Sequence, residues 1–456
     1  MGAEVIAFGW FSAPNDSIAE MDPANSPKAL LVGTTADLYQ EPNLERKAAI
    51  SISESQVPNR EYFRSAQWYL ILHHLLPPLH LIPRRSPDGT TILTSSASDT
   101  LRSFILPPDL LHPPQPKQLE PYTTHTCPEP VRASTFHSSY ALAEPSSCLF
   151  IASLRSLPIR LLSPFAPGIL STYPLISPTT EAYITPHSLL FNPNNTSRFF
   201  AGSDSCISSF DINRNGEGPI STMRTTASRR NHKSAGQGMK GIVSAMAMSS
   251  EGILAAGTFN RWIGLYDGHG SGDTLAVFPL AAESEPEEEK GQGITQVLWS
   301  ACSRYLCVAE RRSDGIGVWD VRGTGKRLAW LRGRKAETQQ RLGVEVLGGE
   351  VWAGGTDGVV RVWEELGMKE GIVDPAWQFQ AHGDAVSSAT LHPTGSVLAT
   401  CSGQRHWDAP TDEGRDSESH ADSIVSSMSS ARLSNSTSQQ TEATMKSDNS
   451  LKLWAL

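Results

Sequence analysis

The sequence predicts an all-β protein, a seven-bladed β-propeller, and three observations lead to that fold class. The 456 residues include 36 Gly, 31 Pro and 11 Trp but only 19% charged residues, a balance typical of turn-rich β proteins rather than helical bundles. One short sequence pattern recurs along the chain. The recurrences follow one another at the spacing of a four-stranded blade.

The recurring pattern is an apolar or small run, then an Asp or Asn, then an aromatic residue five or six positions later. Asp and Asn tolerate tight turns, and the alternating apolar residues that follow line one sheet face, so each copy predicts a β-hairpin. Most copies have another strand and turn upstream, which makes each unit a blade of three strands plus a linker strand. The six pairs are Asp99 with Phe104, Asp204 with Phe210, Asn260 with Tyr266, Asp314 with Trp319, Asp357 with Trp363, and Asp448 with Trp454.

The spacing of the aromatic residues sets the number of blades. Positions 210, 266, 319 and 363 lie roughly 45 to 55 residues apart, the range of a propeller blade. A weaker seventh copy, residues 148–165, lacks the Asp but keeps both apolar runs. Such units bury their faces only against neighbours, so we expect a closed ring over residues 56–456. Residues 1–55 are predicted to be an N-terminal arm, partly disordered, or a partial outer strand.

Two insertions interrupt this plan. The hairpin arm "LATCSG" in the last blade is separated from its partner "SDNSLKLW" by residues 408–446, which are rich in Ser, Thr and acidic residues and are predicted to be disordered. Residues 69–85, "YLILHHLLPPLHLIPRR", interrupt the first blade between a strand and its turn. This apolar insertion is either a genuine loop or the translation of an unremoved intron, and the second reading is favoured because an exposed run this apolar has no partner to bury it.

Several function classes lack their signatures. The chain has a net charge of −9, its start has no signal-peptide pattern, and the run at 69–85 contains prolines and is too short to span a membrane. We therefore expect a soluble intracellular protein without a membrane anchor. The six scattered cysteines show no zinc-like spacing and are predicted to be core thiols in a reducing compartment.

Catalytic chemistry has no candidate either. Hydrolase, metalloprotease and nucleotide-binding motifs are missing, so we expect no enzymatic activity, no cofactor and no small-molecule substrate. The Gly-rich run at residues 268–273 lacks the Lys and helix of a phosphate loop and predicts a connection between adjacent blades. His382 precedes a strand, and its expected role is a hydrogen bond into the strand below.

Basic residues provide the candidate binding site. Local Arg and Lys clusters can contact phosphates even in an acidic chain, and an Arg can also stack on an unpaired base. Solvated loops remain the alternative reading for such clusters. The candidates for RNA or partner contacts are Arg229, Arg230, Lys233, Arg311, Arg312 and Arg405.

Four stretches carry a family resemblance. They are "SPDGTTILTSSASDTLRSFILPPDLL", "PIRLLSPFAPGILSTYPLISPTTEAYITPHSLLFNP", "GMKGIVSAMAMSSEGILAAGTFNRWIGLYDG" and "LHPTGSVLATCSGQR". They resemble the telomerase Cajal body protein family of WD-repeat propellers, as a fungal homologue would. The likeness runs from about residue 62 to 405 and resumes at the final strand. "TSSASDTLR" and "LATCSGQR" are its most specific pieces, since the latter places Gly-Gln-Arg where ordinary repeats have a turn Asp.

The resemblance implies a non-enzymatic nuclear scaffold. Members of the family bind H/ACA-type small Cajal-body RNAs (scaRNAs), deliver them to Cajal bodies, and in animals hold the telomerase RNA in its ribonucleoprotein. The expected partners are therefore small nuclear or Cajal-body RNA and its ribonucleoprotein proteins, together with other proteins bound through the propeller faces. Two alternatives stay open: a protein-only WD-repeat adaptor and a pre-mRNA splicing-associated factor, the role linked to some fungal relatives.

Overall fold

The computed structural model describes residues 29–35, 63–67, 89–112, 116–226, 238–268, 272–280, 286, 289–323, 325–404 and 448–456. These residues form β-strands and two short 3-10 helices, Pro145–Ser147 and Val321–Gly323. Numbered along the chain, the strands are β1 (Leu30–Thr34), β2 (Phe63–Gln67), β3 (Thr91–Ser96), β4 (Thr100–Ile105), β5 (Lys117–Gln118), β6 (Thr123–Thr126), β7 (Val131–Phe136), β8 (Phe150–Leu154), β9 (Ile159–Leu162), β10 (Ile169–Tyr173), β11 (Ser188–Phe191), β12 (Arg198–Ser203), β13 (Cys206–Asp211), β14 (Ser221–Arg224), β15 (Val243–Met248), β16 (Ile253–Thr258), β17 (Trp262–Asp267), β18 (Thr274–Pro279), β19 (Ile294–Trp299), β20 (Tyr305–Glu310), β21 (Ser313–Asp320), β22 (Arg327–Ala336), β23 (Val344–Leu347), β24 (Glu350–Gly354), β25 (Val359–Trp363), β26 (Gly371–Val373), β27 (Trp377–Gln380), β28 (Val386–Leu391), β29 (Val397–Ser402) and β30 (Leu451–Ala455).

The strands form seven sheets, the blades of an all-β propeller. We label the four antiparallel strands of each blade with the letters a to d, from the centre of the ring outward. Strands labelled a in neighbouring blades contact one another, for example β7 with β11 and β28 with β2. Two short parallel strands add to outer edges, β5 on β1 and β26 on β22. Written from a to d, the blades are 1 (β2, β3, β4, β6), 2 (β7, β8, β9, β10), 3 (β11, β12, β13, β14), 4 (β15, β16, β17, β18), 5 (β19, β20, β21, β22), 6 (β23, β24, β25, β27) and 7 (β28, β29, β30, β1).

The core lies between the blades rather than inside one of them. Each interface between neighbouring blades holds one cluster of buried apolar side chains. Between blades 7 and 1, for example, Val32 and Leu453 pack with Ile92. Because hydrophobic stabilisation grows with the apolar area removed from water, a blade is stable only with both neighbours in place.

The predicted repeats are the b–c hairpins of the blades. Strands b and c pair in all seven, including the weaker copy, which forms β8 and β9. Turn residues with positive φ occur where the pattern places Asp or Asn, for example Asp99 itself at φ 59 and Ser205 directly after Asp204. The six aromatic residues of the pattern are all buried.

The Asp314 copy departs from this rule. Asp314 lies inside β21, where its carboxylate accepts hydrogen bonds from the backbone N–H of Gly333 (3.2 Å) and Lys335 (3.1 Å). The b–c turn of blade 5 consists instead of Arg311 and Arg312, and Arg312 has the positive φ of 48. The prediction that Asp314 occupies the turn is wrong, because the spacing of this pattern does not show where strand b ends.

Blade 7 closes the ring as the sequence predicts. β29 pairs with β30, so the arm "LATCSG" finds its partner in the final strand. On its other side β30 pairs with β1, where Leu31 lies opposite Trp454. Of the two readings of residues 1–55, Leu30–Thr34 therefore forms a partial outer strand of the propeller. Residues 408–446, the predicted insertion, lie outside the described residues.

The structure describes the strands on both sides of the insertion in blade 1. β2, before the insertion, pairs with β3, after it, with Ala66 opposite Thr94, whereas residues 69–85 lie outside the described residues.

Two smaller predictions need correction. The prediction that residues 268–273 connect adjacent blades is wrong, because this segment joins strands c and d inside blade 4. The cysteine prediction holds only in part: four thiols are buried, but Cys206 is half-buried and Cys302 is exposed.

Candidate nucleic-acid interface

The b–c turns and the connections from strand d to the next strand a lie at the same end of the ring. We call this end the b–c face and the opposite end the c–d face. Backbone hydrogen bonds join turn and connection: Ser205 N–H donates to Gly241 O (2.9 Å), Phe259 N–H to Ile242 O (2.9 Å), and Arg311 N–H to Gly293 O (3.0 Å).

The predicted basic residues all belong to segments that start and end on the b–c face. Arg311 and Arg312 form the b–c turn of blade 5. Arg229, Arg230 and Lys233 lie in the d-to-a connection of blades 3 and 4, between β14 and β15, and Arg405 lies between strands b and c of blade 7; these four residues are outside the described residues. The described ends of both segments belong to the b–c face, since Met239 N–H donates to Thr225 O (2.7 Å) and Gly403 N–H to Ala385 O (2.9 Å).

Arg311 and Arg312 carry charge that no described carboxylate neutralises. Arg312 is exposed, and its backbone N–H donates to Thr338 O (3.1 Å). The Arg311 guanidinium donates to Gln339 O and lies 5.4 Å from the centre of the Phe259 ring. Burial lowers the pKa of Arg311, yet the group stays protonated at neutral pH. By contrast, the neighbouring Arg261 is neutralised by Glu310 through two hydrogen bonds of 2.6 and 3.0 Å.

Three further basic residues interact electrostatically with Arg311 or with one another, and the sequence did not single them out. Arg132 is the second residue of β7, His187 directly precedes β11, and Arg341 lies in the connection before β23. The Arg341 guanidinium donates to Ser244 O (3.2 Å), so a residue entering blade 6 contacts the inner strand of blade 4. We call Arg132, His187, Arg311 and Arg341 the mouth cluster, because three of them lie at or just before inner strands, which line the central channel.

His187 is subject to the charges of the other three residues of the mouth cluster. Burial lowers the pKa of His187, and the charges of Arg132, Arg341 and Arg311 lower it further, while Asp204 raises it. Burial likewise lowers the pKa of Arg341 to about 10, and Arg311 contributes to that shift. Three guanidinium groups and one carboxylate therefore act on His187. In the sequence, Arg132, His187 and Arg341 could have been identified as basic residues at or just before the start of an inner strand.

Inside the ring, polar side chains of a different kind occur, an amide and a carboxyl rather than cations. Gln296 on β19 bridges to blade 6, accepting from Val344 N–H (2.9 Å) and donating to Val344 O (2.8 Å). Next to it, burial raises the pKa of Glu345 to about 8, so this carboxyl is largely neutral at pH 7. The described part of the chain contains no group of three or more His, Cys, Asp or Glu side chains placed to hold a metal ion.

His382 has the role expected from the sequence. The Trp454 indole N–H donates to the Thr400 hydroxyl (2.8 Å), and a second 2.8 Å hydrogen bond joins that hydroxyl to His382 Nε2. His382 Nδ1 lies 3.2 Å from an Asp448 carboxylate oxygen. Since an indole can only donate, the consistent arrangement has Thr400 donating to His382 and His382 donating to Asp448. This blade 7 hydrogen-bond chain joins the strands on both sides of the 408–446 insertion.

The c–d face carries apolar rather than basic side chains at blades 1 and 2. Tyr122 is 59% exposed and meets Phe165 edge to face, with ring centres 5.9 Å apart. Ile169 and Leu170, at the start of β10, are also exposed. Within the described residues, no helix has both the length and the apolar character needed to cross a membrane.

Comparisons with known proteins agree with the fold. No family model matches the chain. It is 27% identical over 406 residues to human Telomerase Cajal body protein 1, covering 87% of this chain and 67% of the relative. The bovine protein of the same name is 29% identical over 357 residues, covering 76% and 62%. A Schizosaccharomyces pombe protein named Guanine nucleotide-binding protein negative regulator 1 is 28% identical over 326 residues, covering 70% and 74%.

These matches confirm the resemblance to the telomerase Cajal body protein family of WD-repeat proteins. The likeness extends over most of the chain rather than over one repeat, and it coincides with a seven-bladed ring. The chain spans about two thirds of the length of the human relative and slightly less of the bovine one.

Proposed function

We propose that this WD-repeat propeller is a non-enzymatic nuclear scaffold that binds small nuclear RNA through its b–c face and assists ribonucleoprotein assembly or localisation. The RNA class proposed is the H/ACA-type Cajal-body RNA or telomerase RNA, because the chain resembles proteins named Telomerase Cajal body protein 1. The nuclear location is proposed on the same ground.

One observation carries the proposal. The six basic residues selected from sequence belong to three segments that all start and end on one face, and the mouth cluster adds further positive charge there. The chain has a net charge of −9, and the connection between β18 and β19, which starts and ends on the same face, carries five Glu between residues 283 and 289, so the cations form local patches there. RNA phosphates gain affinity from releasing counterions at clustered Lys and Arg, so a local patch suffices.

The first test compares two charge reversals in blade 5. Arg312→Glu changes an exposed residue on the b–c face, and Lys326→Glu changes an exposed residue in the connection between β21 and β22, on the c–d face. Both alter the net charge by the same amount. We expect Arg312→Glu alone to weaken binding of small nuclear RNA and to lower the salt slope of the binding constant by about 0.7 for each phosphate that the variant no longer neutralises.

Crosslinking in cells provides the second readout. The wild-type protein should crosslink to small nuclear or nucleolar RNAs more than an unrelated propeller does, and Arg312→Glu should crosslink less than Lys326→Glu. Crosslinking no better than the unrelated propeller contradicts the proposed function. Equal losses in the two variants contradict the b–c face as the binding surface.

A second candidate function is a protein-only adaptor, and two observations favour it. The c–d face exposes Tyr122, Ile169 and Leu170, and apolar groups on a rim suit a protein partner. In addition, the Schizosaccharomyces pombe relative is named as a regulator of a guanine nucleotide-binding protein. A splicing-associated factor, the other alternative, would share the RNA-binding chemistry of the first proposal.

Nuclease treatment separates these candidates. Proteins co-purified with the chain are compared with and without RNase, using Ile169→Asp as a variant of the c–d face. Partners that survive RNase and depend on Ile169 favour the adaptor. Partners lost on RNase treatment favour the scaffold, and enrichment of spliceosomal rather than H/ACA-type RNAs in the untreated sample favours the splicing role.

A further inference from the structure

Phe259 is an exposed aromatic residue at a position where other blades have small or polar side chains. It is the first residue of the b–c turn in blade 4 and is 43% exposed. The same position is Ala97 in blade 1, Asp204 in blade 3 and Gly355 in blade 6. A large ring held toward water beside a basic patch is a candidate stacking platform, because aromatic side chains stack on unpaired bases.

The backbone around Phe259 holds the ring in place. Its N–H donates to Ile242 O at 2.9 Å. On the next connection, Gly293 has a φ of 100, and a Cβ there would come within 2.6 Å of Phe259 O and 3.2 Å of its Cγ. Glycine therefore permits this close approach. The platform is positioned by the fold before any ligand arrives, which lowers the entropy cost of binding.

One cation lies over the Phe259 ring. Arg311 Cζ lies 5.4 Å from the ring centre. Arg341, held by Ser244 O, comes from the next connection, and the two guanidinium groups are close enough for Arg311 to perturb Arg341. An aromatic face beside guanidinium groups matches a nucleotide, which has a flat base and an anionic phosphate.

We infer that Phe259, Arg311 and Arg341 form a subsite for one unpaired nucleotide, with the base stacked on Phe259 and its phosphate against the two guanidinium groups. This inference rests on the proposed function and specifies which form of RNA the b–c face takes. A base in a duplex has both faces covered by its neighbours. The subsite therefore selects single-stranded or looped RNA and tolerates different bases, since every base has a π face.

The test measures binding of a labelled ten-nucleotide single strand, and of the same strand in a duplex, to the full-length protein. We expect the single strand to bind more tightly. Phe259→Ala should weaken single-strand binding roughly 5- to 150-fold, the equivalent of about 1 to 3 kcal/mol per stacked base, while Phe259→Trp retains it. Tyr122→Ala, which removes an exposed aromatic ring from the c–d face, is the matched control and should have no effect.

Salt dependence distinguishes stacking from charge. Phe259→Ala removes no cation and should leave the salt slope unchanged, whereas Arg311→Gln should reduce it by about 0.7. A 2-aminopurine base in the strand should lose fluorescence on binding to the wild-type protein and to Phe259→Trp, but not to Phe259→Ala.

The outcomes separate this inference from the proposed function. If the wild-type protein binds RNA but Phe259→Ala binds the single strand equally well, the subsite is wrong and the scaffold proposal stands. Equal affinity for single strand and duplex also overturns the subsite. If no RNA binds the wild-type protein, both fail. Unchanged thermal unfolding of Phe259→Ala, expected for an exposed side chain, shows that a loss of binding is local.

Discussion

Blades 7 and 2 share one strand plan but are held together by different interactions. In blade 7 the hydrogen-bond chain runs from Trp454 through Thr400 and His382 to Asp448 and so links strands a, b and c. Blade 2 relies on rings: Phe136 meets Tyr140 at 4.8 Å and Phe150 at 6.2 Å between ring centres, in edge-to-face geometry. The same fold is thus stabilised by directional polar contacts in one blade and by aromatic packing in another.

The two solutions differ in how they respond to change. Removing one member of a buried hydrogen-bond chain leaves its partners unsatisfied, and each such group costs about 1 to 3 kcal/mol. Removing one ring from an aromatic cluster leaves a cavity whose cost depends on how far the neighbours relax. Blade 7 also differs in chain order, since its strands come from both ends of the described chain, whereas those of blade 2 follow one another.

The largest expected effect follows from that chain order. Deleting residues 449–456 removes strand c of blade 7, leaves β1 without its antiparallel partner, and opens the clusters shared with blades 6 and 1. We expect loss of soluble, cooperatively unfolding protein, measured by expression yield and calorimetry. Removing Leu456 alone, whose N–H donates to Ser396 O, is the control and should be tolerated. Cooperative unfolding of the longer deletion near the wild-type temperature would show that the blade assignment is wrong.

The next effect tests the aromatic packing of blade 2. Phe150 is fully buried, and its ring also meets His125 at 5.6 Å. Phe150→Ala should lower the free energy of unfolding by about 3 to 5 kcal/mol, measured by denaturant titration. Phe150→Leu should cost less, and Tyr122→Ala, at an exposed ring, should stay within about 0.5 kcal/mol of wild type. A small loss for Phe150→Ala would mean that the blade does not depend on this cluster.

The same contrast explains what the sequence could predict. Polar contacts leave a readable spacing, and the Asp and aromatic pair therefore located strands b and c of blade 7 although 43 undescribed residues, 405–447, separate them. Aromatic packing leaves only apolar runs, so blade 2 gave the weakest copy. The turn of blade 5 was misplaced because Asp314 has the right spacing but bonds to the strand beside it.

The candidate site was predictable only in part, for a related reason. Arg311 and Arg312 stand out in the sequence as a basic pair. Arg132, His187 and Arg341 are single residues on different blades, and only closure of the ring brings them together. Phe259 was not selected, because in sequence it precedes a turn Asn in an ordinary repeat. Its close contact with the next connection requires Gly293.

The third prediction breaks the blade 7 hydrogen-bond chain at its centre. Thr400→Val keeps the side-chain shape but removes the hydroxyl that bonds both Trp454 and His382. Two buried nitrogen atoms then lack partners, so we expect a loss of roughly 2 to 4 kcal/mol in the free energy of unfolding. Thr400→Ser keeps the hydroxyl and removes one methyl group, which should cost about 1 kcal/mol. If the Val and Ser variants lose the same free energy of unfolding, the chain of hydrogen bonds contributes nothing to stability.

The smallest effect compares two buried histidines under acid. Burial lowers the pKa of His382, although Asp448 raises it in part, and burial lowers the pKa of His125, which has the Ser163 carbonyl as its partner (2.9 Å). Below about pH 6.5 the unfolded chain takes up more protons at these two histidines than the folded chain does, so their contribution to stability falls as pH falls through that value. His125→Gln should reduce this slope by up to about 1.4 kcal/mol per pH unit, because Gln can keep the bond to Ser163 without taking up a proton. Unfolding titrations between pH 7.5 and 5 in wild type and variant measure the difference. The remaining slope reports His382, His137 and His187, whose pKa values burial also lowers, together with Glu345, whose raised pKa contributes with the opposite sign. Identical slopes would show that His125 binds its proton in the fold as readily as in water, so that the aromatic packing beside Phe150 does not shield it.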